Sequence, residues 1–273
     1  MKLLLSGTSG FVGSNLRNFF LERHFDIFSI DRVRRAYTSV TWGESSEVLN
    51  LDVDAMIHLA GKAHDISTVA SSDEYFIVNT ELTKQLFDLF LKSSAMDFIY
   101  FSSVKAAADS VSGILDENVT PCPKTPYGQS KRKAEEYILT RTLPPGKRVI
   151  ILRPCMIHGL GNKGNLNLLY QIVRRGIPYP LGKFNNLRSF TSIENLCFLV
   201  EKILLSDIPS GIYNIADDEP LSTVRVIEIM AEELGQKKKV WEISPHLIRG
   251  LAKAGSYLYL PFNAERLKKL TES

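Results

Sequence analysis

The chain has 273 residues, of which 44% are hydrophobic and 23% charged, with a formal net charge of +3. These values are typical of a globular protein with a sizeable core, and the charge is too small to indicate nucleic acid as a partner. Three sparse cysteines fit a reducing compartment, the cytoplasm, better than a disulfide framework. No stretch reaches the roughly 20 apolar residues of a membrane span, and no His/Cys spacing indicates a metal site.

Short apolar runs alternate with longer amphipathic stretches along the first half of the chain. Strands are predicted at 3–5, 25–31, 56–60, 98–102 and 149–152, and helices at 11–23, 73–93 and 127–142. Strands that alternate with helices indicate βαβ units and an α/β fold with a doubly wound parallel sheet of the Rossmann type. Such sheets bind ligands at the carboxyl ends of their strands.

After Pro154 the sequence becomes richer in Gly, Asn and Pro, before a further strand is predicted at 211–215 and a helix at 222–235. This change indicates a second, smaller domain of mixed α/β structure that binds the substrate. The predicted boundaries are 1–153 and about 189–216 for the dinucleotide-binding domain, and about 154–188 and 217–273 for the substrate-binding domain.

A glycine-rich loop follows the first predicted strand and opens the first helix. Gly7 permits a tight turn, Gly10 lets the backbone approach a pyrophosphate, and Gly13 permits close helix packing. The helix N-terminus adds amide donors for phosphate. The alternative is a glycine-rich turn without a ligand. The predicted cofactor contacts in this segment are Gly7, Ser9, Gly10, Phe11, Val12 and Gly13.

Asp31 ends the second predicted strand, where a carboxylate can accept hydrogen bonds from the adenosine ribose hydroxyls and repel a 2′-phosphate. This position indicates NAD, with contacts from Asp31 and the neighbouring Arg32. The alternative stays open, because Arg32, Arg34 and Arg35 could hold the 2′-phosphate of NADP.

Tyr127 and Lys131 lie one helical turn apart and therefore share a face of their helix. A phenol is a weak acid–base catalyst until its pKa falls, and the ammonium of Lys131 would lower the pKa of Tyr127. The preceding predicted strand ends in Ser102-Ser103, which supplies a hydroxyl to orient a reacting oxygen. The alternative is an ordinary surface Tyr and Lys pair.

Together these motifs resemble the extended short-chain dehydrogenase/reductases that act on nucleotide sugars, the NAD-dependent epimerase/dehydratase family. The resemblance extends over nearly the whole chain. Besides the glycine loop it rests on His58-Leu59-Ala60-Gly61, Val78-Asn79-Thr80, Phe101-Ser102-Ser103, Pro126 to Lys131, Leu152-Arg153-Pro154, Gly164-Asn165-Leu166 and Arg188-Ser189-Phe190.

The resemblance implies a catalytic triad of Ser103, Tyr127 and Lys131. It also implies that Asn165 and Arg188 contact the nucleotide diphosphate of the substrate. Two roles stay open for Lys105: contact with the substrate, or a packing or ion-pair role. The further cofactor contacts that the resemblance implies are Leu59, Ala60, Gly61, Asn79, Tyr127, Lys131, Pro154 and Ile157.

The residues after Ser103 distinguish the reactions of that family. The 4,6-dehydratases carry an Asp-Glu pair there, and GDP-fucose synthases carry a Cys where Lys105 stands. This chain has Val104-Lys105, which disfavours dehydration and C3/C5 epimerisation. The segment is similar to those of bacterial reductases and epimerases that act at C4 of UDP-linked N-acetyl-6-deoxyhexoses in surface-polysaccharide synthesis.

The resemblance therefore implies an NAD(P)-dependent enzyme that reduces C4 of a UDP-4-keto-6-deoxy-N-acetylhexosamine. Two alternatives stay open: a UDP-sugar 4-epimerase with tightly bound NAD, and a non-catalytic regulator that senses a dinucleotide on the same fold. The expected partners are a UDP-linked sugar and a second copy of the chain, in a homodimer formed through the helices at 73–93 and 127–142. Members of that family usually continue beyond the position of Ser273, so a truncated second domain also stays open.

Overall fold

The computed structural model describes residues 1–34, 38–62, 72–111, 113–162 and 165–257, together with Leu267 and Thr271. The chain divides into two compact units. The first comprises Met1–Ile157 and Thr191–Ala216, and the second comprises His158–Phe190 and Asp217–Ser273. The assignment of cofactor binding to the first unit and of substrate binding to the second stays a prediction.

A parallel sheet of seven strands forms the centre of the first unit. The strands within the described ranges are β1 (Lys2–Ser6), β2 (Asp26–Asp31), β3 (Ser39–Thr41), β4 (Ala55–His58), β5 (Asp97–Phe101), β6 (Arg148–Pro154), β7 (Met156–His158), β8 (Leu187–Arg188), β9 (Phe190–Ser192), β10 (Gly211–Ile215) and β11 (Leu221–Ser222). The order in the large sheet is β10-β6-β5-β4-β1-β2-β3. This arrangement confirms the predicted doubly wound, Rossmann-type fold. The strand order reverses between β1 and β4, which is where such sheets bind ligands.

Eight α-helices lie among the described residues. They are α1 (Phe11–Glu22), α2 (Ser72–Tyr75), α3 (Leu82–Lys92), α4 (Pro126–Leu139), α5 (Asn165–Arg174), α6 (Ile193–Leu204), α7 (Thr223–Glu233) and α8 (Pro245–Tyr257). Segments of 3₁₀-helix cover Trp42–Asn50 and Val104–Ala106. The single helix predicted at 73–93 is wrong in one respect, because a π-helical turn at Phe76–Glu81 separates α2 from α3.

Apolar side chains cover both faces of the large sheet, because successive residues of a strand point to opposite sides. Leu3 and Leu5 of β1 pack in one cluster with residues of α1 and α6. Leu4 lies in a second cluster with residues of α3 and α4. All three leucines are fully buried, and each contributes about 1.5–3 kcal/mol to folding. Helices on both faces leave the strand ends as the place where a ligand can approach.

The second unit has its own apolar core between α5, α7 and α8. Its buried members are Val173, Tyr179, Leu181, Ile227, Ala231, Ile248, Ala252 and Leu267. Strands β8 and β11 pair antiparallel beside it. Within the described ranges, no helix is both long and apolar enough to cross a bilayer.

Candidate active site

The glycine-rich loop between β1 and α1 is held by contacts that only glycine permits. Gly7 has φ of 72°, in the left-handed region. A Cβ on Gly7 would lie 2.7 Å from the amide nitrogen of Ala60, and one on Gly13 would lie 2.2 Å from the carbonyl oxygen of Gly7. A Cβ on Gly10 would meet only that same carbonyl oxygen, at 3.4 Å. The loop is therefore packed tightly at Gly7 and Gly13 and open at Gly10.

The N-terminus of α1 is suited to a pyrophosphate. Its N-cap residue is Gly10, which has no side chain that could bind the first amides of the helix. The first turn carries no acidic residue. By contrast, Thr125 caps α4 with its side chain. The first amides of a helix have no partner within it and favour anions. With the open face at Gly10, these features fit the diphosphate of a dinucleotide. Ser9 is exposed, whereas Phe11 and Val12 are half-buried against the sheet.

Asp31 lies at the end of β2, and its buried carboxylate accepts hydrogen bonds from the amide and the hydroxyl of Thr8, at 3.1 and 2.6 Å. The carboxylate thus joins the glycine loop to the strand predicted to hold the adenosine ribose. Arg34, one of the candidates for a 2′-phosphate, pairs instead with Glu44 and Glu47, which fits NAD better than NADP. Arg35 lies outside the described residues.

Two alanine substitutions should separate the folding role of the loop from its binding role. Gly13→Ala is expected to destabilise the protein, because the new methyl group overlaps the Gly7 carbonyl oxygen. Gly10→Ala is expected to leave the melting temperature unchanged and to weaken NAD binding by about tenfold or more. Thermal melts and calorimetric titration with NAD measure both effects. Unchanged NAD affinity in Gly10→Ala would contradict a pyrophosphate at this position.

Ser103 and Tyr127 come together because the backbones around them approach closely. A Cβ on Gly128 would lie 2.4 Å from the carbonyl oxygen of Lys105, so only glycine lets α4 pack against the 3₁₀ turn that follows Ser103. The hydroxyl of Ser103 lies close enough to the phenol of Tyr127 to lower its pKa. Thr125 starts α4 by accepting a hydrogen bond from the amide of Gly128 at 3.3 Å. Two of the three predicted catalytic groups are therefore in contact.

The adjacent hydroxyl of Ser102 is committed elsewhere. It donates to a carboxylate oxygen of Glu135 at 2.5 Å, inside the core. The same carboxylate forms two hydrogen bonds with Arg153, at 2.8 and 2.6 Å. Glu135 and Arg153 are buried. The two serines therefore have different roles. Ser102 links the end of β5 to α4 through Glu135, whereas Ser103 lies near the phenol of Tyr127.

The expectation that Lys131 lowers the pKa of Tyr127 is wrong for the protein described here. Burial raises the pKa of Tyr127, the hydrogen bond from Ser103 opposes that rise, and the nearby Tyr75 adds to it. The ammonium of Lys131 is directed elsewhere, since it donates to the carbonyl oxygen of Phe101 at 2.8 Å. The phenol is therefore protonated at neutral pH.

Lys131 is itself buried, with 5% of its surface exposed. Burial lowers its pKa to about 8, although the charge of Glu135 partly opposes that shift. Its ammonium lies beside Gly61, because a Cβ there would come within 3.1 Å of the Lys131 nitrogen and 3.0 Å of the Asn79 side-chain oxygen. Gly61, Asn79 and Lys131, three of the predicted cofactor contacts, are thus brought together.

Asn79 occupies the π-helical turn and is fully buried. Its side chain accepts from the amide of Lys62 at 2.7 Å and donates to the hydroxyl of Ser130 at 2.9 Å. The hydroxyl of Ser130 in turn donates to the carbonyl oxygen of Tyr127 at 2.8 Å. π-Helical turns occur frequently at functional sites, and this one joins the end of β4 to the helix that carries Tyr127 and Lys131.

Asp109 is a residue of the site that the sequence did not single out. Its carboxylate accepts from the amides of Lys124 and Thr125 and from the hydroxyl of Thr125, at 2.6, 3.2 and 2.9 Å. Its carbonyl oxygen accepts from the ammonium of Lys105 at 2.5 Å. Asp109 therefore fastens the turn after Ser103 to the start of α4. The hydrogen bond from Lys105 to Asp109 corresponds to the second role left open for Lys105, packing or ion pairing, rather than to contact with the substrate.

The remaining predicted residues lie elsewhere along the chain. Leu59 and Ala60 follow β4, and their amides donate to the hydroxyl of Ser6 at 3.0 Å each. Pro154 is buried at the end of β6, and Ile157 is half-buried in β7. Arg32 follows β2 and is exposed. In the second unit, Asn165 begins α5 and Arg188 ends β8. Lys163 and Gly164 lie outside the described residues.

Comparison with protein families gives a match to the model of the "NAD dependent epimerase/dehydratase family" over residues 3–216. A UDP-glucose 4-epimerase of Vibrio cholerae is 28% identical over 260 residues, which are 88% of this chain and 77% of that protein. An N-acetyl-alpha-D-glucosaminyl-diphospho-ditrans,octacis-undecaprenol 4-epimerase of Escherichia coli O157:H7 is 27% identical over 272 residues, 94% of this chain and 78% of that protein.

Among solved structures, the UDP-N-acetylglucosamine 4-epimerase from Bacillus cereus superposes with a TM-score of 0.76 at 22% identity. The superposition covers 88% of this chain and 84% of that one. At this identity the likeness concerns the fold, and it agrees with the parallel sheet described above.

Proposed function

The chain belongs to the NAD dependent epimerase/dehydratase family, and from this premise we propose that it transfers a hydride at C4 of a sugar linked through a diphosphate. The protein is an enzyme, and the cofactor of its family is NAD. The proposed direction is reduction of a UDP-4-keto-6-deoxy-N-acetylhexosamine for surface-polysaccharide synthesis. We place this reaction in the cytoplasm, where nucleotide sugars and NADH would be available.

When bound in its reduced form, NAD supplies the hydride that C4 receives. The residues of this chain would perform the remaining tasks. The amides at the start of α1 bind the pyrophosphate, and Asp31 accepts hydrogen bonds from the adenosine ribose. Tyr127 donates its proton to O4 while Ser103 orients that oxygen. Lys131, which lies beside Gly61 and Asn79, holds the nicotinamide ribose.

The placement of Tyr127 next to Ser103, with Lys131 beside Gly61 and Asn79, is the observation that carries the proposal of hydride and proton transfer at C4. Reduction of a ketone needs a group that can give a proton to the developing alkoxide. The pKa of Tyr127 is raised by burial, and the ammonium of Lys131 donates to Phe101. The free enzyme thus favours the acid form of Tyr127, which is the form that can give a proton to O4.

The 4-epimerases among the relatives support a second candidate. An epimerase would use the same three residues but would first remove a proton from O4 and later return it. It would retain NAD through the cycle and show no net consumption of NADH. Asn165 and Arg188 would bind the substrate diphosphate in either reaction.

A screen of NADH and NADPH oxidation with UDP-4-keto-6-deoxy-N-acetylhexosamines tests the proposal. We expect stoichiometric loss of absorbance at 340 nm with the keto sugar and none with UDP-N-acetylglucosamine, which has no ketone to reduce. Polyprenyl-diphosphate-linked sugars form a second arm of the screen. Interconversion of UDP-N-acetylglucosamine and its C4 epimer without NADH consumption would identify the epimerase and overturn the reductase.

A further inference from the structure

A buried imidazole connects the end of β1 with the π-helical turn that contacts α4. His58 ends β4 and is fully buried. One of its ring nitrogens, Nδ1, lies 2.6 Å from the hydroxyl of Ser6, and the other, Nε2, lies 2.8 Å from the hydroxyl of Thr83. Neither the proposed proton transfer nor the binding of the cofactor uses this side chain directly.

The neighbouring hydrogen bonds determine the direction of both contacts. The hydroxyl of Thr83 gives its hydrogen to the carbonyl oxygen of Asn79 at 2.7 Å, so it can only accept from His58. The Nε2 atom therefore carries the hydrogen, and Nδ1 is an acceptor for the hydroxyl of Ser6. The oxygen of Ser6 completes its bonding by accepting from the amides of Leu59 and Ala60.

The surroundings of His58 favour this single neutral form. Its ring packs against those of Trp42, Phe98 and Tyr100. Burial, helped by the charge of Lys131, lowers the pKa of His58 to about 3. Lys131 is the charged group that acts on it, and Tyr100 is the other titratable group in contact. The imidazole is thus a fixed donor and a fixed acceptor at neutral pH.

Each end of this connection lies at a predicted functional segment. Through Ser6, His58 holds the amides of Leu59 and Ala60, directly before Gly61. Through Thr83, it holds the carbonyl oxygen of Asn79 in the π-helical turn, and the Asn79 side chain continues to Ser130 and the backbone of Tyr127.

We propose that His58 is a positioning residue whose two ring nitrogens separately fix the cofactor loop 59–61 and, through Asn79, the helix that carries Tyr127 and Lys131. The catalytic meaning of the second contact rests on the proposed function. The geometric claim does not, because both contacts can be tested without a sugar substrate.

Two substitutions of His58, each of which keeps one of the two ring-nitrogen contacts, separate the effects of these contacts. His58→Asn keeps an acceptor near the Nδ1 position and loses the donor to Thr83. His58→Gln places a donor near the Nε2 position and loses the acceptor for Ser6. Calorimetric titration with NAD and peptide-resolved hydrogen exchange give the readouts. The control is Tyr100→Phe, equally buried beside His58, which keeps the ring that stacks on the imidazole and both contacts of the ring nitrogens.

In His58→Gln we expect NAD binding to weaken by about tenfold and exchange to rise at 59–61, since a hydrogen bond of a buried group is lost there. In His58→Asn we expect unchanged NAD affinity and exchange about tenfold faster in the segments around Asn79 and Ser130. Ser6→Ala should behave like the Gln variant, and Thr83→Val like the Asn variant. Equal losses at both ends in both variants, or no change in either, would overturn the proposal.

The unaltered protein provides an independent measurement. Nitrogen-15 spectra of its five histidines should show one ring that is neutral, with the hydrogen on Nε2, at pH 6. A hydrogen on Nδ1, or an imidazolium at that pH, would refute the assigned directions even if the variants failed to fold. If the screen of NADH and NADPH oxidation found no activity with any keto sugar, the proposed function would fail, but these measurements on His58 would remain valid.

Discussion

Replacement of Tyr127 by Phe is expected to lower the turnover of the keto sugar by about 10²- to 10⁴-fold, the usual contribution of a positioned general acid. The ring should stay in place, because the contact that fixes the helix at this point involves the backbone oxygen of Tyr127 and the hydroxyl of Ser130. The affinity for NAD and the free energy of unfolding should therefore change by no more than about 0.5–1.5 kcal/mol, the usual contribution of the one hydroxyl contact that is lost. Stopped-flow measurement of NADH oxidation, with calorimetric titration of NAD, gives both results.

Tyr137→Phe is the matched control for this experiment. Tyr137 lies on the same helix, but its hydroxyl hydrogen-bonds to the carboxylate of Asp88 and to Arg141, away from Ser103. Removal of the Tyr137 hydroxyl should leave the turnover of the keto sugar near that of the unaltered enzyme. If Tyr127→Phe retained full turnover, another group would have to protonate O4 and the proposed mechanism would be wrong.

The central sheet could be predicted because its sequence signals are local. Leu3, Leu4 and Leu5 are apolar at every position, as expected for a strand covered on both faces. Helix α6 is not among the predicted helices, although the sequence carries its signals. Ser192 is a favoured N-cap residue, and in the structure it accepts a hydrogen bond from the amide of Asn195. Its apolar residues Leu196, Val200 and Ile203 recur at helical spacing.

The candidate site was only partly accessible from sequence, because its supporting contacts join residues that are far apart in the chain. Tyr127 and Lys131 can be recognised by their spacing. Nothing in the spacing of Asp109 and Thr125, or of His58 and Thr83, predicts that they bind one another. The π-helical turn also depends on such contacts, since Asn79 and Thr80 both hydrogen-bond to Ser130 of the next helix. The catalytic and binding roles themselves stay predictions.

Removal of one partner from the ion pair between Glu135 and Arg153 should give the largest loss of stability. Both side chains are buried, at 0% and 1% exposure. Arg153→Met would leave the carboxylate buried with the Ser102 hydroxyl and a distant contact from Arg132, at 3.4 Å, as its remaining partners. An uncompensated buried charge of this kind costs about 3–5 kcal/mol. Urea unfolding curves of the variant measure the change.

Arg34→Met is the matched control, because Arg34 pairs with Glu44 and Glu47 where all three side chains are about half exposed. Exposed pairs contribute about 0–1 kcal/mol, so this variant should unfold near the midpoint of the unaltered protein.

The double variant Glu135→Met/Arg153→Met should recover much of the stability, since replacing both buried charges by apolar side chains of similar size is often neutral. It should nevertheless lower the pKa of Lys131, because the carboxylate of Glu135 is the charge that opposes the effect of burial on that group. The activity of a stable double variant would then decline with rising pH at a lower pH than that of the unaltered enzyme. If Arg153→Met were no more harmful than Arg34→Met, the pair would not stabilise the fold. If the double variant kept the original pH profile, Glu135 would not control the charge of Lys131, and the ion pair would serve the fold alone.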